Sequence, residues 1–472
     1  MIRSAARSRQ TTVPAVLALA LCAVTGVTMS VQAPAAPLVA AAAMLVALSL
    51  DWRRGVVALL VVLPFAGLPV FVAGTPGLAF RDLAVVGPLY ITFAAAMLRS
   101  DTTPVPPLGI ALPALVLFAA LVVAGVAVAP SLSVGVLGMK VWLVYMPMLA
   151  IGYHFIRRVG DLDRVLAMTA VLGLLPAALA LAELLLAART GSFGPFAHLY
   201  SSTASAPSML VFGDGAQMVK IARVPSTFTS GSSYYTFALV AFVAALSQLL
   251  RHGGRGWFAC TVMLAAGAGA SGNRAAYVMV PLITVVSLAF AGVRPSRLAS
   301  AGAASGAMVL AVAALGGNPL LVLRLLPEHV HVTLSYGWHE MRSSFLLLGH
   351  GTGWDTNGAL RYGDTAQRRY IENWYAKASL ELGVLGLLSI TVALASIIVR
   401  LVTPLRRLDA RPRQLAAPVA ALLLLTVVSL FKGPYIDLDP LNVYFWLFAG
   451  MLLGLYRAVG AVPGLGAKAA AL

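Results

Sequence analysis

Long apolar runs extend along the whole chain, separated by short breaks rich in charged residues, proline and glycine. Most runs hold about 17–25 residues, the length that an α-helix needs to cross a bilayer. They are continuous rather than alternating, which argues against a membrane β-barrel. The pattern therefore predicts an all-α, polytopic transmembrane helix bundle of about twelve to fourteen spans in a single integral membrane domain, residues 1–472. The predicted spans are 12–30, 38–50, 55–73, 82–98, 108–129, 140–156, 164–187, 234–250, 257–272, 275–292, 298–316, 376–399, 416–432 and 441–457.

The beginning of the chain allows two interpretations. Its positive start and the small residues near Ala33 are also typical of a cleaved signal peptide. We interpret 12–30 as an uncleaved first span, because further apolar runs follow at once. Two further assignments stay open, since 38–50 could merge with 55–73, and 257–292 could be a broken pair.

Positively charged residues indicate the orientation of the spans. With the N-terminus in the cytoplasm, most of the 33 lysines and arginines fall on the cytoplasmic side, which predicts an N-in, C-in topology. Two long outside loops, 188–233 and 317–375, hold most of the others, and we expect short interfacial helices within them. Long loops are exempt from the positive-inside rule, so basic residues concentrated there need a functional reason. The short outside loops hold only Arg81, Lys140, Arg274 and Lys432.

Composition agrees with a membrane protein and narrows its chemistry. The 472 residues are 60% hydrophobic and 10% charged, with a mean hydropathy of +0.90. We attribute the net charge of +17 to cytoplasmic arginines and to an anionic ligand, not to nucleic acid. Cys22 and Cys260 lie inside apolar runs, which argues against a disulfide framework or a cysteine metal site. No phosphate-binding G-x-x-x-x-G-K-[ST] loop occurs, so we expect no ATP hydrolysis and no cofactor.

The first outside loop ends in the sequence KIARVPSTFTSGSSYYTFALV. Lys220 and Arg223 precede a cluster of hydroxyls, and Tyr234 and Tyr235 begin the next span. The segment is either an aromatic belt with a polar turn or a site for a sugar or a phosphate, which arginine binds through its planar fork. Arg274, in GASGNRAAYVM, is either the solvated tip of a two-span hairpin or a functional charge.

Residues 333–348 of the second outside loop, TLSYGWHEMRSSFLLL, combine an apolar and a polar stripe at helical spacing. This pattern predicts a helix lying at the outer membrane interface. His339 and Arg342 belong to the polar stripe, and His350 follows in a glycine-rich turn. Each histidine is either a catalyst or an ordinary surface residue. The apolar stripe consists of Leu334, Trp338, Met341, Phe345 and Leu348.

The same loop continues from GHGTG, which is typical of a tight turn, into a span that begins YIENWYAKASLELG. Asn373, Lys377 and Glu381 share one helical face, which predicts a Lys377–Glu381 pair. Glu372 lies at the water boundary beside arginines, where a carboxylate could take a proton from an attacking hydroxyl. A glutamate before a helix is also ordinary dipole chemistry. The neighbouring arginines are Arg361, Arg368 and Arg369.

The order of these elements resembles that of the O-antigen ligase/Wzy-type polymerase superfamily of bacterial envelope glycan enzymes. The likeness covers about residues 140–455 and rests on ARVPSTFTSGSSYYTFA, ASGNRAAYV and LLGHGTGWDTN…YIENWYAKASLELGVLGLL. It implies a multi-pass protein of the bacterial cytoplasmic (inner) membrane that transfers a glycan from polyprenyl pyrophosphate to an acceptor hydroxyl at the outer face, without a metal. For a polymerase it also implies a flippase and a chain-length regulator as partner proteins.

The resemblance assigns pyrophosphate binding to Arg223 and Arg274, with Arg342 as a weaker match. Ligases of the superfamily have histidine where this chain has Glu372, which favours a polymerase. His339 and His350 remain alternative bases, because the resemblance does not fix the base. Membrane lipid is expected around the whole bundle. The expected substrate contacts are Arg223, Arg274, Arg342, Lys220, Arg361, Arg368, Arg369, Asn373 and Tyr375.

The outer-face arginines and the resemblance together indicate a function. Guanidinium groups held in place can stabilise a departing pyrophosphate, so we expect a metal-independent glycosyltransferase that polymerises polyprenyl-pyrophosphate-linked oligosaccharide repeats. One alternative is a ligase that transfers the lipid-linked glycan to another acceptor. Another is a transporter or flippase of a lipid-linked glycan, although no pair of broken helices in inverted repeats is evident in the sequence.

Overall fold

The computed structural model describes residues 51–73, 77, 81–99, 105–191, 208–212, 219–343, 346–354 and 371–461. The predicted spans 12–30 and 38–50 lie outside the described residues. The same holds for Cys22, Phe345, Arg361, Arg368 and Arg369.

Most of the described residues form α-helices, and two short strands form one antiparallel hairpin. A π-helical turn, Asp82–Val86, precedes the third helix. The elements in chain order are α1 (Trp52–Val62), α2 (Leu68–Ala73), α3 (Gly87–Arg99), α4 (Ala111–Ala127), α5 (Leu132–Leu143), α6 (Met148–Phe155), α7 (Val159–Thr190), β1 (Ser208–Phe212), β2 (Val219–Arg223), α8 (Gly231–His252), α9 (Arg255–Ala270), α10 (Arg274–Ala291), α11 (Pro295–Ala313), α12 (Pro319–Ser343), α13 (Trp374–Val402), α14 (Ala410–Ser429) and α15 (Leu441–Ala458).

Eight helical segments within the described residues are long and apolar enough to cross a membrane. This confirms the prediction of a helical, multi-pass membrane protein. The total number of spans and the sides on which the termini lie stay predictions. The eight segments are Leu132–Phe155, Val159–Thr190, Gly231–His252, Arg274–Ala291, Pro295–Gly316, Trp374–Arg407, Ala410–Ser429 and Leu441–Ala458.

Two of these helices, α8 and α15, form the centre of the bundle, since nearly all their residues are buried. Around them, close approaches depend on small residues. Gly152 of α6 packs against the backbone of α15 at Leu447, and Gly450 of α15 packs against α6 at Leu149. Small residues let membrane helices come close enough for backbone contact. A buried α8 gives the loop before it a rigid base.

The structure adds a β-hairpin that the sequence pattern did not indicate. β1 pairs with β2 in the register Ser208↔Arg223 to Phe212↔Val219, and Ile221 also bridges to Gly317. The hairpin lies within the first predicted outside loop. Its last residue is Arg223, so the hairpin fixes the backbone that carries this arginine.

Helix α13 is interrupted at Gly383, where φ is 71°. Residues 346–351 lie beside the interruption and satisfy its backbone groups: the Val384 amide donates to the Leu346 carbonyl (3.0 Å) and the His350 amide to the Leu380 carbonyl (2.9 Å). The glycines of the GHGTG turn all have positive φ, and the turn packs against α4 and α5. The turn is therefore part of the packed bundle.

Helix α12 begins earlier than the helix predicted over residues 333–348, and its position at the outer membrane interface stays a prediction. It spans Pro319–Ser343 and thus begins well before the predicted stripe. Thr333 and Gly337 face the rest of the protein, while Leu334 and Trp338 of the predicted stripe are exposed, Trp338 by 61%. Lipid solvates large apolar side chains as well as a protein interior does, so the apolar stripe can face outward. Small residues such as Gly337 allow close helix packing and therefore face the protein.

Candidate functional site

A cavity of about 180 Å³ lies where three helices begin and where the loop between α14 and α15 crosses them. The helices are α8, α10 and α13. Their first backbone N–H groups and their dipoles favour negative charge at such a place. The residues that line the cavity are Arg223, Ser232, Asn273, Arg274, Glu372, Lys432, Gly433, Pro434, Tyr435 and Leu438.

The turn between β2 and α8 positions Arg223. Ser226 in this turn has φ 52°; its amide donates to a Glu183 carboxylate oxygen at 3.2 Å and its hydroxyl to the Pro176 carbonyl at 2.7 Å. Glu183 is almost fully buried in α7, so the turn is bound to a membrane-spanning helix. Arg223 then reaches α8, where its Nη2 donates to the Ser232 hydroxyl at 2.7 Å.

Arg274 comes next to Arg223 because the two backbones touch. Gly272 has φ 63°, and a Cβ there would collide with the Ala222 carbonyl and lie 3.1 Å from Arg223 Cα. Asn273 follows and caps α10 by accepting the Ala275 amide at 3.1 Å. Arg274 is the first residue of α10, so the cap and the glycine together aim it at the cavity.

Glu372 and Lys432 form the opposite wall. Lys432 Nζ lies 2.6 Å from Glu372 Oε2, and the Thr333 hydroxyl lies 3.5 Å from the same oxygen. Asn373 caps α13 by accepting the Tyr375 and Ala376 amides, which fixes Glu372 just before the helix. The cavity therefore has three cationic side chains and one carboxylate in its lining.

A buried network supports the loop that carries Lys432. Lys377 Nζ lies 2.8 Å from Asp437 Oδ2, and Trp374 Nε1 donates to Asp437 Oδ1 at 2.8 Å. Glu381, which helical spacing predicted as the partner of Lys377, accepts from Trp142 Nε1 at 2.7 Å and from the Gly353 amide at 3.0 Å. Lys377 thus holds the loop, and Glu381 holds the GHGTG turn.

Three of the predicted site residues line this one cavity: Arg223, Arg274 and Glu372. His339 and Arg342 are exposed on α12 and are not among the described lining residues. His350 lies in the packed turn, where its carbonyl accepts from Trp354 Nε1.

Other predicted contacts have structural roles or cannot be described. Asn373 is a buried helix cap, and the Tyr375 hydroxyl donates to the Val427 carbonyl at 2.9 Å. The side chain of Lys220 lies outside the described part of the chain, as do the three arginines at 361, 368 and 369.

The sequence interpretation missed Lys432 as a site residue. It counted Lys432 only as one of four basic residues in short outside loops. The available signal was its surroundings, KGPYIDLDP, in which glycine and proline favour a turn and aspartates can anchor it. Which carboxylate the lysine would meet depends on tertiary packing, which the sequence does not reveal.

The arrangement can bind an anion and can accept a proton. Arginine and lysine side chains at helix N-termini suit phosphate groups, and a carboxylate nearby can act as a general base. Among the residues that the structure describes, no group of three or more His, Cys, Asp or Glu side chains is placed to hold a metal ion.

No protein-family model matches the chain, and a search of curated proteins finds no match.

Proposed function

We propose that the protein is a membrane glycosyltransferase of the bacterial cytoplasmic membrane that polymerises polyprenyl-pyrophosphate-linked oligosaccharide repeats at the outer face. The observation that supports the proposal most is the shared cavity. Arg223 and Arg274, chosen from the sequence as pyrophosphate ligands, line it together with Glu372, chosen as the base. The three residues are far apart in sequence, so their meeting is not a consequence of chain proximity.

In this proposal the cationic side chains bind the pyrophosphate of the donor. Arg223 and Arg274 offer paired N–H donors to its oxygens, and the N-termini of α8 and α10 add favourable dipoles. Negative charge grows on the pyrophosphate as its bond to the sugar breaks. Groups already aimed at that position stabilise the transition state more than the bound substrate.

Glu372 acts as the general base at the other wall of the cavity. It takes the proton of the acceptor hydroxyl while the hydroxyl oxygen bonds to the anomeric carbon. The electron pair of the breaking carbon–oxygen bond stays with the pyrophosphate. The products are the lengthened glycan on the acceptor lipid, polyprenyl pyrophosphate and a proton that passes from Glu372 to water.

Reconstitution tests the proposal directly. Purified protein in liposomes receives a lipid-linked repeat unit, and the products are separated by length. We expect a ladder of longer lipid-linked glycans from the wild type. Arg274→Ala should lower the rate by about 10²- to 10³-fold, the usual cost of removing one preorganised charge-stabilising donor.

Arg255→Ala is the matched control, since Arg255 is an exposed arginine at the opposite end of α9 from residues 271–274. This control should polymerise at the wild-type rate. Transfer of the intact glycan to a different acceptor, without lengthening, would identify a ligase instead. An unchanged rate for Arg274→Ala would remove the proposed role of the cavity.

A further inference from the structure

Lys432 and Glu372 are partners of each other in the structure. Their side chains form a short ion pair, Nζ to Oε2 2.6 Å, while both line the cavity that Arg223 and Arg274 also line. The pair is partly accessible, with 18% of the Lys432 side chain and 33% of the Glu372 side chain exposed. A carboxylate oxygen that accepts a hydrogen bond from an ammonium group is a poor acceptor for a further proton.

We infer that Lys432 exchanges partners when substrate arrives: its ammonium group leaves Glu372 and binds the pyrophosphate of the donor lipid, which makes Glu372 available as the base. This inference rests on the proposed function. It assigns Lys432 as a third cationic ligand for the pyrophosphate. It also assigns to Glu372 a resting state in which the carboxylate is occupied.

Charge explains why the exchange is favourable. A pyrophosphate carries more negative charge than a single carboxylate and offers more acceptor oxygens, so it competes well for an ammonium group with three donors. Arg223 and Arg274 line the same cavity and would hold the anion within reach of Lys432. Lysine suits such a role, because its compact charge sits on a flexible four-carbon stem.

The backbone around Lys432 is fixed, so only the side chain has to move. The Lys432 and Gly433 amides both donate to the Ser429 carbonyl, at 2.9 and 3.3 Å. Further along the loop, Asp437 is held by Trp374 and by Lys377. A rotation about the stem of Lys432 therefore redirects its charge without a change in the cavity wall.

The exchange also orders the events of the reaction. Glu372 Oε2 is released for the acceptor hydroxyl when a pyrophosphate draws Lys432 away. The release of the base therefore depends on the presence of the donor, and without donor Lys432 and Glu372 remain an ion pair. This coupling is a binding effect and can be measured without turnover.

The test is a double-mutant cycle on binding. Purified full-length protein in lipid nanodiscs is titrated with farnesyl diphosphate, for the wild type, Glu372→Gln, Lys432→Met and the double variant. If Glu372 and Lys432 acted independently, Glu372→Gln would tighten binding only by removing a negative charge. The gain would then be the same in the wild-type and in the Lys432→Met background. The exchange predicts an additional gain of about 3- to 10-fold when Lys432 is present, because the ion pair no longer has to be broken.

Equal gains in both backgrounds, or weaker binding by Glu372→Gln, would overturn the exchange. Lys432→Arg should bind nearly as tightly as the wild type, and Lys432→Gln replaces Lys432→Met if the methionine variant loses its melting transition. The same cycle is measured with inorganic pyrophosphate. An equal additional gain in affinity with both probes indicates recognition of the free anion. An additional gain with farnesyl diphosphate alone indicates a lipid-linked source.

The outcomes separate the two proposals. If the binding cycle shows the additional gain but the reconstituted protein does not transfer glycan, the exchange stands and the proposed function fails. If glycan is lengthened but the effects of the two substitutions on binding free energy simply add, the proposed function stands and the exchange fails. If neither farnesyl diphosphate nor inorganic pyrophosphate binds the wild type, both proposals are contradicted.

Discussion

Replacing Gly272 by alanine tests how the structure brings Arg223 and Arg274 together. Gly272 has φ 63°, and an added Cβ would strike the Ala222 carbonyl and approach Arg223 Cα to 3.1 Å. Backbone atoms cannot yield as a flexible side chain can. We expect β2 to be displaced from the start of α10, which would separate the two guanidinium groups.

The size of the effect has two parts. A left-handed backbone costs a non-glycine residue about 1–2 kcal/mol. Steric overlap with packed backbone adds about 1–3 kcal/mol. Gly191→Ala isolates the first part, because Gly191 has φ 65° and nothing within 4 Å of its added Cβ.

The assay combines two measurements on purified protein. The apparent melting temperature should fall more for Gly272→Ala than for Gly191→Ala. The affinity for farnesyl diphosphate should fall for Gly272→Ala by at least about tenfold, which corresponds to 1.4 kcal/mol, and stay at the wild-type value for Gly191→Ala. Equal behaviour of the two variants would refute the contact between β2 and the start of α10.

Arg223→Ala should lower glycan transfer by about 10²-fold or more, whereas Arg342→Ala, a change at an exposed residue of α12, should leave the rate within about twofold, measured by product ladders. Asp437→Asn should destabilise the protein by about 3–5 kcal/mol, because it breaks the buried Lys377–Asp437 pair. The Lys377→Met/Asp437→Leu double variant should recover part of the loss of melting temperature. An unchanged melting temperature for Asp437→Asn would show that this pair does not hold the α14–α15 loop. Transfer should continue in EDTA, and inhibition that added divalent metal reverses would defeat the metal-independent mechanism.

The membrane architecture was predictable because lipid imposes a simple rule on sequence. Spans must be apolar and helical, so the runs around α7, α8, α10 and α13 could be located without a structure. The same rule made charged residues outside the spans conspicuous. Arg223, Arg274 and Glu372 were noticed on that basis, and the resemblance implied that the two arginines bind pyrophosphate. The structure brings the three residues into one cavity.

The remaining parts of the site depend on contacts between distant elements. The β-hairpin has few residues and no strong alternating pattern. The sequence therefore did not indicate that Arg223 ends a strand. The contacts of Lys377 with the α14–α15 loop and of Glu381 with the GHGTG turn depend on tertiary packing, which helical spacing does not reveal. For α12 the apolar stripe indicated a helix, but it did not indicate that the helix begins at Pro319.

The most direct measurement is a cryo-EM structure of the protein in a lipid nanodisc with a bound polyprenyl-pyrophosphate-linked glycan, captured in the Glu372→Gln variant. We expect the pyrophosphate within hydrogen-bond distance of the Arg223 and Arg274 guanidinium groups and of Lys432 Nζ, with the acceptor side of the sugar facing residue 372. A pyrophosphate bound away from these side chains would show that the cavity is not the donor site.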